Sequence, residues 1–282
     1  QSDSVDLGYI PTSRALRTLG TISTRFSEKD QPRAWSLVGP YGSGKSSFAL
    51  FLSHLLSTPD SKKARAARKL LAGNDAELAE ALRVETKDTD GYLEVLISGT
   101  PERLSLRYLR GLQDGMAGYW LGRKGKKPAV IADMDRYAAA GAVSVSELIE
   151  VTKLCQDTLS KVGCPGMVII FDEFGKFLEY ESRFLGVNDV FLLQALAEHA
   201  LAGHSTKILL LVLLHQSIEQ YARGVGESLK NEWAKIQGRF EEIPFLESAE
   251  QTLRVVNAAI TQEPFDAASE KLINSQVATA IA

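Results

Sequence analysis

Cysteine is almost missing from this chain: Cys155 and Cys164 are the only two in 282 residues. Two are too few for a disulfide framework or a structural zinc site. The four histidines (His54, His199, His204, His215) show no metal-ligand spacing, and His199 and His204 are five apart, off a shared helical face. An excess of charge is lacking too. Lys and Arg total 32 against 35 for Asp and Glu, a net charge of −3, so the chain as a whole carries no electrostatic footprint for nucleic acid. No apolar run approaches bilayer length, and no apolar stretch ahead of Pro11 reads as a signal peptide. These absences predict a cytoplasmic protein with no membrane partner. There is no internal repeat and no low-complexity segment. The chain does not begin with Met and stops abruptly at Ala280-Ile281-Ala282, as expected of a piece of a longer polypeptide.

What is present starts at residue 39. Gly39-Pro40-Tyr41-Gly42-Ser43-Gly44-Lys45-Ser46 is a complete G-x-x-x-x-G-K-S loop. An apolar run, Trp35 to Val38, precedes it, and a helical stretch from Ser46 to Leu56 follows. Strand, Gly-rich turn and helix are the context in which this motif binds phosphate. Gly42 and Gly44 let backbone N–H groups converge on phosphate oxygens, and the helix start adds its partial positive charge. Lys45 is expected to reach the β- and γ-phosphates, with Ser46 on Mg²⁺ and Ser47 completing the cradle. A nucleoside triphosphate is the expected ligand.

The remaining pattern alternates helices with apolar strands. Helices are expected over Thr12–Ser27, Pro59–Leu71, Asp75–Val84, Leu104–Leu121, Asn188–Ala202 (closed by Gly203) and Glu247–Ile260. Ser144 with Glu147 forms a capping box for a further helix, which runs to about Val162 and is ended by Gly163. Its apolar stripe includes Cys155, read as a core residue. Strands are expected at Tyr92–Ser98, Met167–Phe171, Lys207–Leu214 and Phe240–Phe245; the second and third are continuous apolar runs of the kind buried on both faces. This order predicts an α/β fold, a three-layer αβα sandwich of phosphate-loop type with a mostly parallel sheet. The organisation expected is an N-terminal linker and helix (1–30), a core (31–246) with an insertion at 59–90, and the start of a helical lid (247–282).

Met167 to Phe171 runs into Asp172-Glu173, two carboxylates at the carboxyl edge of a sheet, where open α/β sheets bind ligands. Asp172 is expected to hold Mg²⁺ and Glu173 to act as general base toward water. A rival pair, Asp133 and Asp135, follows only Ala129-Val130-Ile131-Ala132, too short and Ala-rich for a central strand. The Glu after the Asp marks phosphate-loop proteins that hydrolyse ATP and insert a strand between the loop strand and the Asp strand. No N-K-x-D motif points to guanine, and no Asp directly follows the loop helix as in simple nucleotide kinases. At the tip of the Lys207–Leu214 strand stands His215-Gln216-Ser217. Gln216 has the length to read the γ-phosphate, and His215 is the alternate. In Lys235-Ile236-Gln237-Gly238-Arg239-Phe240, Arg239 is expected to project from the domain edge into a neighbour's site, or else to pair with Glu241 or Glu242.

Taken together, the phosphate loop, Asp172-Glu173, the polar strand tip and Gly238-Arg239-Phe240 resemble AAA+ ATPases over residues 10–262, closest to the initiator-like group. Residues 172–179 and 235–240 are also similar to large ATPases of bacterial phage-defence systems of the BREX type. The resemblance implies ATP as ligand, Mg²⁺ as cofactor, catalytic roles for Lys45, Glu173, Gln216 and Arg239, self-association, and a place among other subunits of a defence or DNA-processing complex. It also implies that Tyr9-Ile10-Pro11 lines an adenine pocket. There are departures. The strand-tip residue is His-Gln rather than Asn, Thr or Ser, and no second sensor Arg can be placed, Arg254 being too early on its helix. DNA contact rests on two basic clusters, Lys62–Lys69 and Arg123–Lys127, which a solvated helix face and a loop explain equally. Two other readings share the motifs: a STAND-like signalling switch with slow or no turnover, and a small-molecule kinase.

Overall fold

A computed structural model describes residues 8–27, 31–121, 128–184, 189–202, 206–223 and 225–259. The basic stretch at 123–127, Asn188, Gly203, His204, the side chain of Arg254 and all residues beyond 259 lie outside that description. The chain forms two compact units, Gln1–Leu246 and Glu247–Ala282.

The first unit opens with α1 (Ser13–Ser27), whose start is capped by Thr12 through Oγ1, 3.2 Å from the Ala15 N–H. β1 (Ala34–Val38) leads through residues 39–44 into α2 (Lys45–Leu56). Next come α3 (Lys62–Ala72) and α4 (Ala76–Thr86), with Ser61 and Asp75 each accepting a backbone N–H at the helix start. These are the residue types that cap helices, for that reason. Arg68 on α3 donates to Leu55 O, Pro59 O and Thr86 Oγ1, so this member of the predicted basic cluster ties the two helices to the end of α2.

β2 (Leu93–Ser98) and α5 (Leu104–Trp120) follow as expected. Ala129–Ala140 is a helix, α6, so Asp133 and Asp135 sit on its turns and no strand competes with the Asp172 strand. The capping box forms at the start of α7 (Val145–Ser160): the Glu147 N–H donates to Ser144 Oγ and the Ser144 N–H donates to the Glu147 carboxylate. Gly163, at φ 76°, takes the left-handed turn that leads to β3 (Gly166–Asp172). Like α6, two further elements were not anticipated: α8 (Gly175–Arg183), directly after the Asp-Glu pair, and the short α10 (Ile218–Tyr221). α9 (Phe191–Leu201), β4 (Lys207–Leu214), α11 (Glu227–Gln237) and β5 (Glu241–Pro244) complete the unit. In the second unit, α12 (Ala249–Ala259) is the described element.

The five strands form one all-parallel sheet in the order β2-β3-β4-β1-β5. β4 therefore lies between β1 and β3. Its residues alternate strictly between two cores. Ile208, Leu210, Val212 and Leu214 enter the core built with α5, α7, α8 and α9, while Leu209, Leu211 and Leu213 enter the core built with α1, α2, α3 and α4. β3 alternates likewise, Met167, Ile169 and Phe171 against Val168 and Ile170. Helices thus cover both faces, which is why the two central strands read as unbroken apolar runs. Among the described residues no helix is long and apolar enough to cross a membrane.

Cys155 is fully buried, and burial pushes its thiol up to about 12, which removes it from thiolate chemistry at neutral pH. Glu181 on α8 is buried as well, accepting a bond from the Val190 N–H at 2.8 Å. Burial, reinforced by the charge of Asp189, raises its carboxyl to about 7. A folded-state pKa above the unfolded one contributes stability that is whole below about 4.5 and lost as pH rises through about 7. Thermal melts should therefore show wild type losing stability relative to Glu181→Gln between pH 5 and 8. A pH-independent gap between the two proteins would contradict this.

Candidate functional site

Because the strands are parallel, their carboxyl ends share one edge, and β4 brings two of those ends into register. Gly39 N–H donates to Leu214 O at 3.1 Å, and Phe174 N–H donates to Leu213 O at 3.1 Å. The loop after β1 and the turn after β3 are thus both stitched to the tip of β4. Gly39 has no room for a side chain, since a Cβ would sit 2.2 Å from the Phe245 carbonyl oxygen.

Between these segments lies a cavity of about 270 Å³. One wall is Tyr41 to Ser47; the other is Asp172, Glu173 and the β4 tip from Leu213 to His215. Gly42 and Gly44 have φ of 78° and 86°, the left-handed conformation that turns successive N–H groups toward one point. Gly44 stands at the cap of α2 with no side-chain oxygen to offer, so the first-turn N–H groups can meet an anion instead.

Lys45 is buried at this helix start. Its Nζ donates to Gly39 O at 2.5 Å, Pro40 O at 2.8 Å and Ser43 Oγ at 3.3 Å. Burial lowers its pKa, and the negative charge of Asp172 works in the opposite direction. The ammonium therefore sits in the field of the carboxylate across the cavity, held by neutral acceptors that an anionic ligand can outcompete.

Asp172 accepts the Glu173 N–H at 2.8 Å on Oδ1. Glu173 has φ +50°, a left-handed conformation shared only by Asp88 among described non-glycine residues. Such a backbone is costly for a non-glycine residue and clusters at functional sites. Behind it, Gly99 donates to Asp172 O at 2.8 Å, and a Cβ at Gly99 would lie 2.2 Å from Glu173 O. The loop after β2 thus props the turn from the back. The Glu173 carboxylate pairs with Lys176 Nζ at 2.5 Å, on the second residue of α8, both side chains being nearly half exposed. Exposed pairs screened by solvent contribute little, so this pair occupies Glu173 without locking it.

Ser46 and Asp172 both line the cavity, a hydroxyl and a carboxylate. Hard oxygen donors of this kind suit Mg²⁺, which uses one or two carboxylates together with ligand phosphates. No cluster of three or more His, Cys, Asp or Glu side chains placed to hold a metal occurs among the described residues, so an ion here needs ligand oxygens as well.

Three of the expected site residues are placed as follows. At the β4 tip, His215 lines the cavity and Gln216 does not. Tyr9 packs against Phe51 of α2, with ring centroids 4.6 Å apart and planes tilted by 32°, outside the lining of this cavity. Arg239 stands before the amino end of β5, where Glu241 is level with Trp35, away from the carboxyl edge that holds the cavity. Its Nη2 pairs at 2.9 Å with Glu198 on α9, a partner far away in sequence, and not with Glu241 or Glu242. Lys176 and Gly99 escaped the sequence reading, because the contacts that bring them to Glu173 depend on α8 and on the β2–β3 pairing. Comparison with protein-family models and with curated proteins finds no match. The chemistry of the cavity must therefore carry the functional reading.

Proposed function

We propose that the chain is a phosphate-loop ATPase module of AAA+ type. The observation that supports it most is the interposed β4, which sets the Gly-rich loop and the Asp-Glu turn on opposite walls of one cavity. In this reading the N–H groups of Gly42 to Ser47 hold the phosphates, and Lys45 trades its loop carbonyls for β- and γ-phosphate oxygens. Ser46 and Asp172 would hold Mg²⁺, which would supply positive charge against the phosphates. Glu173 accepts a proton from water as its oxygen bonds to the γ-phosphorus and the bond to the bridging oxygen breaks, releasing ADP and phosphate. The cavity is smaller than the ~300–1,000 Å³ typical of small-molecule pockets, which suits a phosphate chain with the base lying outside it.

Arg239, remote from its own cavity, is in this reading supplied to a neighbouring subunit, so the active form is an oligomer. The likeness of residues 172–179 and 235–240 to phage-defence ATPases supports a place in a defence or DNA-associated assembly. A second reading, an ATP-locked switch with slow turnover, is favoured by the Glu173–Lys176 pair alone. Steady-state phosphate release against protein concentration separates them. Specific activity that rises with concentration supports the oligomeric ATPase; one nucleotide retained per chain without turnover supports the switch.

A further inference from the structure

A second cavity lies behind the acidic turn and has no part in the chemistry above. Its volume is about 560 Å³, within the ~300–1,000 Å³ of ligand sites. The floor is Gly99-Thr100-Pro101, the loop after β2 that also backs Glu173. The wall is one face of α8. Lys176, Glu179, Tyr180 and Arg183 recur there at helical spacing, with Phe184 just past the helix end. Phe177, Leu178 and Glu181 fill the opposite, buried face. Two features of the wall are left unused. Phe184 is 53% exposed, and its ring lies 4.6 Å from that of Tyr180 with planes 36° apart, an aromatic shelf open to water. Arg183, exposed beside it, has no ion pair among the described residues, whereas Lys176 is taken by Glu173.

We infer that this cavity docks a peptide segment of a partner protein, which lays an aromatic side chain on the Tyr180–Phe184 shelf and pairs a neighbouring carboxylate with Arg183. Aromatics beside an arginine, in a recess that a partner seals from water, are where protein interfaces concentrate their binding energy. The chemistry of the wall narrows the occupant. A purely apolar segment would strip water from Arg183 and give it no acceptor. A polyanion such as a nucleic acid strand would press phosphates against Glu179, one turn before Arg183 on the same face. A single carboxylate satisfies the guanidinium and leaves Glu179 to accept backbone N–H groups of the segment. The inference concerns a different cavity from the nucleotide site and does not depend on that reading; it gives the module an attachment point for other subunits.

The test uses two capped dipeptides of matched shape, acetyl-Trp-Asp-amide and acetyl-Trp-Asn-amide, with binding to the whole chain read by ligand-observed NMR, which reaches weak affinities. Both should bind, the Asp peptide about three- to five-fold more tightly, the worth of a solvent-screened ion pair. Arg183→Ala should bring the Asp peptide down to the level of the Asn peptide and leave the latter unchanged. Phe184→Ala should weaken both by about ten-fold or more. Both replaced side chains are exposed, so neither change removes core packing. Glu179→Gln, which deletes a like charge, should strengthen the Asp peptide by about two-fold and spare the Asn peptide. Lys45→Ala should affect neither, since Lys45 lines the other cavity. The inference is overturned by an absence of saturable binding, by binding indifferent to Phe184, or by a charge preference that survives Arg183→Ala. A single-stranded oligonucleotide that displaces both peptides from wild type, and loses its hold in Arg183→Ala, would overturn it in favour of nucleic acid. All these results leave the nucleotide site standing; peptide binding lost in Lys45→Ala would place the peptides in that site and also overturn the inference.

Discussion

Replacing Glu173 by Gln should leave Mg-ATP binding intact and cut turnover by roughly 10²–10⁴-fold, the range supplied by a positioned general base. The substitution is nearly isosteric, so the left-handed backbone at φ +50° and the support from Gly99 persist. What disappears is the carboxylate that can take a proton. The Lys176 ammonium loses its partner at the same time, but both side chains are nearly half exposed and the pair is worth little. Single-turnover phosphate release with a parallel binding assay checks this. Turnover within three-fold of wild type would remove Glu173 from the role of base.

Arg239→Ala carries the second large expectation, a loss of roughly 10³–10⁵-fold in turnover if the guanidinium serves a neighbour's γ-phosphate. Among the described residues the guanidinium pairs with Glu198, a half-exposed contact. A pair of that kind contributes up to about 1 kcal/mol, well below what a transferring phosphate offers a guanidinium, so assembly can exchange one partner for the other. A structural explanation predicts something else: loss of a surface pair, little change in activity. The two are separated by mixing inactive subunits. Arg239→Ala chains keep an intact cavity and Lys45→Ala chains keep the arginine, so a mixture should regain activity that neither has alone. No recovery on mixing, with activity strictly proportional to protein concentration, would place Arg239 outside the reaction.

The strands that build the site were legible because their environment is extreme. β3 and β4 face a core on each side, so every residue from Met167 to Phe171 and from Ile208 to Leu214 is apolar, and the acidic turn that follows marks the sheet edge. The cap at Ser144 was legible for a local reason: its hydroxyl satisfies a backbone N–H only three residues away. Features set by long-range packing were not. The Ala-rich stretch at 129–140 carries only Val130, Ile131 and Met134 as buried residues, too sparse a stripe to announce α6. The strand tip illustrates the same limit on a smaller scale. His215 and Gln216 are adjacent polar residues, and a one-residue offset along a strand reverses the face presented, so composition favoured the longer amide while packing against Tyr41 and Tyr221 brings the imidazole to the cavity. Glu198, the partner of Arg239, is forty-one positions away in sequence and no local pattern points to it.

Calorimetric titration of the protein with Mg-ATP, alongside Lys45→Ala, addresses the central assignment most directly. One nucleotide per chain should bind to wild type, and the signal should vanish when the ammonium held between Gly39 O and Pro40 O is removed. Absence of binding to wild type, or an affinity indifferent to Lys45, would contradict the reading of this cavity as a triphosphate site.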